Sequence, residues 1–413
     1  MIEKDKNTIP FAIELVIIFY VCHTSMPIVG FYTPAIVNVG VLLILYGFLL
    51  SRTKTFFHDV GQVLPIFSIT ILGFIYGGIR HFGIELYGLL QLFIFPLLGL
   101  YFYKYGESRT LKRMFFYVLV SYLVTAITTY FGCKAFPGAS RQIAAMLDSK
   151  EAERYALYMS YNIGSFSFVY SLVLLSPIVI YLLRDKKIPV VFGLVMLIVI
   201  ALTIIEAEYT IALISFVVIL LIFFLPKYIK RRHLITIVIA FVLLYAFGQL
   251  FLGQWLVNLS QKTTSEEFAV RLYDLGVFFS SGIVQVENGD MTARLDLYKV
   301  SIDAFKAHPL FGSGVKAAGG HSFFWDNLGK FGLLGLFAMI IMYSRIFKLF
   351  YKSCRNNCWF GYVSVAFFVA IIFVIVNPKD NLGMLMFTIP LFMSAFNEDN
   401  DIIKKNENTL DCK

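Results

Sequence analysis

The chain has 413 residues, 59% of them hydrophobic and only 15% charged, with a mean hydropathy of +0.77. Soluble domains carry about 25% charged residues, so this sequence cannot cover a water-solvated surface, and soluble folds are excluded. The net charge of +9 does not point to nucleic acid, because basic residues of membrane proteins gather in cytoplasmic loops.

Apolar runs of about 18–20 residues recur along the chain, each long enough to cross a hydrocarbon core of about 30 Å as a helix. They are continuous rather than alternating, which excludes a membrane barrel. Helices are expected at 10–30, 34–50, 60–79, 84–103, 114–131, 163–183, 188–205, 211–225, 234–253, 326–344, 360–377 and 382–396. The first contains Glu14 and is followed by no small-residue cleavage site, so it reads as a retained helix. The expected fold is an all-α polytopic membrane protein of about 12 transmembrane helices with a partly helical extracytoplasmic cap.

The connectors orient the bundle. One alternate set, 51–59, 104–113, 184–187, 226–233 and 345–359, holds with the two tails 22 of the 35 Lys and Arg residues. Short basic connectors stay inside, so both termini are expected in the cytoplasm of a bacterial inner membrane. The opposite set includes two long loops, at 132–162 and 254–325, and loops of that length are usually functional. The chain then divides into nine helices over 1–253, the large outside loop at 254–325, three helices over 326–396 and a disordered tail at 397–413. Within the large loop, Arg294–Lys306 reads as a helix with Leu297, Val300 and Ala304 on one face, ended by His308-Pro309 and Gly312-Ser313-Gly314. Five cysteines suggest neither a disulfide framework nor, at Cys354 and Cys358, a zinc site.

The outside loops carry Arg141, Arg154, Arg271 and Arg294 against the topological bias. Ion pairing is one explanation, since the large loop has six basic and seven acidic residues. The other is an anionic ligand at the outer membrane surface, because guanidinium forks grip phosphate oxygens and keep their charge when partly desolvated. His321, just before a helix, can exchange a proton near neutral pH or serve as an interfacial hydrogen-bonding residue. Beneath it, Gly329, Gly332 and Gly335 read as a close-packing helix face. Phe323, Phe324 and Trp325 suit either sugar stacking or interfacial anchoring.

The run from Ala293 to Lys299, the run from His308 to Gly314, then His321-Ser322 and, nine residues on, Gly332-x-x-Gly335 resemble the O-antigen ligase/polymerase family. Arg154 to Gly164, with Asn162, is similar to that family's other outside loop. The resemblance implies a metal-independent membrane glycosyltransferase without a cofactor. Its donor would be a glycan on undecaprenyl pyrophosphate at the outer leaflet, and a chain-length regulator would be an optional further partner. His321 and Arg294 would be catalytic. Arg154, Arg141 and Arg271 would bind the pyrophosphate or glycan. Ligases of the family usually carry an arginine in the connector after the seventh helix, where this chain has Glu206-Ala207-Glu208-Tyr209-Thr210. That departure favours a repeat-unit polymerase over a ligase that moves finished glycan to lipid A core. A transporter or flippase is the reading from another class, and it predicts ionisable groups deep in the bundle.

Overall fold

The computed structural model describes residues 9–52, 108–146, 151–224, 253–263, 290–314, 322–354 and 359–376, with scattered positions between 71 and 102 and between 269 and 277. The helices expected at 60–79, 234–253 and 382–396, save Ile71, Ile75 and Gly253, and the tail, Arg271 and His321 lie outside the described residues. Every regular element among the described residues is a helix. In chain order these are α1 (Phe11–Ser25), α2 (Pro27–Tyr32), α3 (Ala35–Arg52), α4 (Ser108–Ala135), α5 (Ala139–Met146), α6 (Ala152–Ser160), α7 (Phe166–Arg184), α8 (Val190–Glu206), α9 (Thr210–Phe224), α10 (Gly253–Ser260), α11 (Asp290–Ala307), α12 (Phe323–Cys354) and α13 (Phe360–Val376). The helix expected over 10–30 is broken at Met26, where Pro27 starts α2 in the helix position that needs no N–H.

Two described helices, over 110–135 and 166–184, are long and apolar enough by themselves to cross a membrane. Shorter apolar helices cover 11–25, 35–51, 190–206, 210–223 and 360–375. Their surfaces show where they live. On α8, Met196, Ile200 and Ile204 face the core, while Val191, Ile198 and Ile205 are each more than half exposed on the opposite side. A helix apolar on both faces has no side for water, so its outer face belongs against lipid.

The bundle is centred on α7, in which every residue from Phe168 to Leu182 is buried. It packs against α8, α9 and α13. Pro177 cannot donate to the carbonyl of Val173, and the Ser176 hydroxyl donates to that oxygen instead, at 2.7 Å. Thr203 on α8 donates to the carbonyl of Ala126 on α4 at 2.9 Å. Such bonds matter in hydrocarbon, where an unpaired polar group costs several kcal/mol.

Helix ends gather at two rims. At one, Arg184 at the end of α7 donates to the carbonyl of Phe223 at the end of α9 and to the Tyr362 hydroxyl at the start of α13, both at 3.2 Å. Near the starts of α1 and α4, the buried Glu14 carboxylate accepts two bonds from Arg113, at 2.8 and 2.7 Å. Glu14 is therefore a paired residue close to a helix start, not an isolated charge in mid-bundle. Each of these ends adjoins a basic connector of the sequence, so we call this the basic rim. The other, the loop rim, takes in the ends of α1, α4, α8 and α13 and the starts of α7, α9 and α12.

Candidate active site at the loop rim

The connector 132–162 contributes two short helices, α5 and α6, held to each other where the Tyr158 hydroxyl donates to Gln142 Oε1 at 3.0 Å. Its far end is pinned by Asn162, whose φ of +56° is a left-handed conformation that Asn tolerates better than most residues. Asn162 is 4% exposed. Its Oδ1 accepts the Ile28 N–H at 3.1 Å, an otherwise unpaired donor in the first turn of α2. Its Nδ2 donates to Thr128 on α4 at 2.9 Å. Gly164 continues the seam, donating its N–H to Thr129 Oγ1 at 2.8 Å and accepting the Ser140 hydroxyl at 2.6 Å. The loop that carries Arg141 and Arg154 is thus fastened to α2 and α4 through buried polar bonds.

Arg141 follows Ser140 on α5 and is half-buried. The Ser140 carbonyl accepts the Tyr209 hydroxyl at 2.9 Å, which brings the connector 206–210 against α5. Burial pushes the Tyr209 phenol above its ordinary range, while the Ser140 bond and the nearby Arg141 charge pull it back; at neutral pH it remains a donor. Glu206 and Glu208 lie close enough to Cys133 to act on it electrostatically, and Glu206 also acts on Lys134. Of the two carboxylates in this connector, Glu206 therefore lies near the positive charge of Lys134.

Arg154 sits on the exposed side of α6, paired at 3.0 Å with Glu151 one turn earlier. Both side chains are about half exposed (56% and 49%), and such pairs contribute about 0–1 kcal/mol. Arg154→Ala should change stability by less than about 0.5 kcal/mol, measured as the melting midpoint of detergent-solubilised protein. A larger drop would make this arginine structural.

The second half of the site is built from α11, α12 and the turn between them. α11 ends at Ala307, as the His308-Pro309 pair predicts. Its packed side differs from the expected face. Ser301 is fully buried and Leu297 and Ala304 are partly so, but Val300 is 49% exposed. The cause is Gly329 of α12, which lies so close that a Cβ there would fall 2.7 Å from the Ser301 carbonyl oxygen. Close approach selects the small serine rather than the valine. Arg294 lies on α11 two turns before Ser301, in the same register.

α12 starts earlier than expected and runs from Phe323 to Cys354, broken at Gly332 with φ 62° and ψ −155°. Gly332 is thus a break point, not part of a continuous packing face. Two helical bonds are exchanged across the break. The N–H groups of Leu333 and Leu334 donate to the carbonyls of Pro309 and Leu310, at 2.9 and 3.2 Å. The carbonyls they would have used, on Gly329 and Lys330, accept from Ser313 and Gly314 at 2.9 and 3.1 Å. The His308–Gly314 turn is spliced into the helix, and two amides and two carbonyls freed by the break are paired again.

Ser322, the residue after His321, caps α12. Its Oγ accepts the Trp325 N–H at 3.1 Å and donates to the Ile375 carbonyl at the end of α13 at 2.5 Å. The two halves of the rim are joined through α7 and α13, because the Tyr170 ring touches both Tyr209 and Phe373, with centroids 5.8 and 4.4 Å away. Arg141 and Arg154 therefore share one helical loop, and Arg294 belongs to the α11–α12 unit. The Asn162 clasp and the Gly332 splice were not anticipated; in the sequence Asn162 and the motif glycines stood only as parts of motifs.

No curated protein matches the chain. Residues 194–340, just over a third of the chain, match the family model described as O-antigen ligase. The match runs from α8 through the acidic connector and the large loop to just past the break in α12, so it contains Arg271, Arg294 and His321 but not Arg141 or Arg154. Over those residues the chain is similar to the O-antigen ligase family, and the matched stretch takes in the spliced α11–α12 unit at the loop rim.

Proposed function

We propose that the protein polymerises lipid-linked oligosaccharide repeat units into an O-antigen or capsule-type polysaccharide. The loop rim faces the outside of the bacterial inner membrane, and both termini lie in the cytoplasm. The donor is a glycan on undecaprenyl pyrophosphate. A hydroxyl of the acceptor sugar attacks the donor's anomeric carbon, the bond from that carbon to the pyrophosphate oxygen breaks, and the lipid pyrophosphate leaves with its charge. His321 takes the hydroxyl proton. Arg294, with Arg154, Arg141 and Arg271, binds the pyrophosphate and stabilises the negative charge that grows on it. The observation that carries this reading is the splice at Gly332, which packs the His308–Gly314 turn, and with it the end of the helix that carries Arg294, against α12.

The acidic connector supports the polymerase over the ligase. Glu206 and Glu208 stand at the rim where the ligase pattern has a cation, which suits a different acceptor. Mass spectrometry of lipid-linked glycans in a deletion strain separates the two readings. Loss of a polymerase leaves single repeat units on the lipid carrier, whereas loss of a ligase leaves long lipid-linked chains with nothing transferred. Accumulation of long chains would overturn the polymerase reading.

A further inference from the structure

The buried carboxylate of Asp326 ties together two of the site's supports, α11 and the start of α12. It is 5% exposed. Its Oδ1 accepts the Ser301 hydroxyl at 2.7 Å, and its Oδ2 accepts the Ser322 N–H at 3.1 Å. Ser301 and Ser322 are themselves fully buried. Ser322 passes the connection on through its hydroxyl to Ile375. One carboxylate therefore couples α11, the start of α12 and the end of α13. It sits in the first turn of α12, where a negative charge also suits the helix dipole.

We infer that Asp326 is a positioning residue for glycosyl transfer, fixing the helix that carries Arg294 against the start of α12. The inference rests on the function proposed above. Asp326 is too buried to meet a substrate, so it acts through its neighbours. Ser301 lies seven residues after Arg294, about 10 Å along the helix axis, and movement at one end of a stiff helix is passed to the other. Misplacing a reacting group by about 1 Å can cost about a hundredfold in rate. A carboxylate is suited to this point because two donors converge on it and it can accept from both. Asparagine can keep both bonds, accepting from the Ser322 N–H and donating to Ser301 after that hydroxyl reverses. Alanine keeps neither.

The test uses full-length protein in detergent, with lipid-linked repeat units extracted from the deletion strain as donor, assayed well below each variant's own melting midpoint. Asp326→Ala should lower kcat at least about thirtyfold while KM for the donor stays within about twofold, and Asp326→Asn should stay within about threefold of wild type. Should Asp326→Ala fail to accumulate, Ser301→Ala removes one bond and no charge, with an expected loss of about three- to tenfold. Wild-type kcat in Asp326→Ala would overturn the inference. So would an Asp326→Asn as inactive as the alanine variant, since charge rather than placement would then be at issue. His321→Ala in the same assay separates the two levels. If it turns over normally, the site reading itself fails; if it is inactive while Asp326→Ala is normal, only the role of Asp326 fails.

Discussion

Arg294→Ala and His321→Ala should reach the membrane at wild-type levels yet make no long glycan chains, a loss of at least about a hundredfold in transfer. The leaving group is a pyrophosphate, and its charge grows as the sugar–oxygen bond stretches. A fixed guanidinium beside it is worth most at that moment. Arg294→Lys should also be poor, because an ammonium is a point charge and cannot offer two parallel N–H groups to two phosphate oxygens. His321→Ala removes the group that accepts the hydroxyl proton. The measurement is a gel ladder of surface glycan from complemented deletion cells, beside an immunoblot of the membrane fraction. A ladder of normal length from either alanine variant would remove that residue from the mechanism.

The splice should be equally intolerant, for reasons of shape alone. Gly332 occupies backbone space that is essentially glycine-only, and a Cβ there would fall 2.6 Å from the Gly312 nitrogen. At Gly312, with φ +77°, a Cβ would fall 2.3 Å from the Lys330 carbonyl oxygen. Neither clash is with a flexible side-chain tip, so the backbone must move and the exchanged bonds must lengthen. Gly332→Ala and Gly312→Ala should each cost about 3 kcal/mol or more. The double variant should cost less than their sum, because both break the same contact. Gly40→Ala, Gly47→Ala and Gly361→Ala have open space around the added atom and serve as neutral controls. The readouts are membrane yield and the melting midpoint; a Gly332→Ala protein that melts like wild type would show that the break is not locked by this contact.

How much of this was legible in the sequence depends on the kind of force involved. Helices were legible because lipid demands long apolar runs and punishes exceptions, so α4, α7, α8, α9 and α13 lie where hydropathy puts them. The end of α11 was legible because proline and glycine act locally. The face of α11 was not, because Ser301 packs inward against a glycine 28 residues away and gives its hydroxyl to Asp326, neither of which a local pattern shows. Asn162 read as part of a loop motif; its role as a clasp depends on Ile28 and Thr128, which no local pattern links to it. The glycines of α12 read as a helix face, because composition cannot distinguish a glycine that lets helices touch from one that lets a helix break. Of the site, Arg141 and Arg154 proved to share one pinned helical loop, and Arg294 the helix beside the splice.

The exchanged bonds at Gly332 bear on how the polypeptide is assembled. Left alone in hydrocarbon, the second half of α12 would present bare amides at Leu333 and Leu334, and such a segment is costly to release into lipid. The partner carbonyls at Pro309 and Leu310 leave the ribosome some two dozen residues earlier, so closing that short circuit costs little entropy. Insertion of this helix in its broken form therefore goes together with closure of the turn before it.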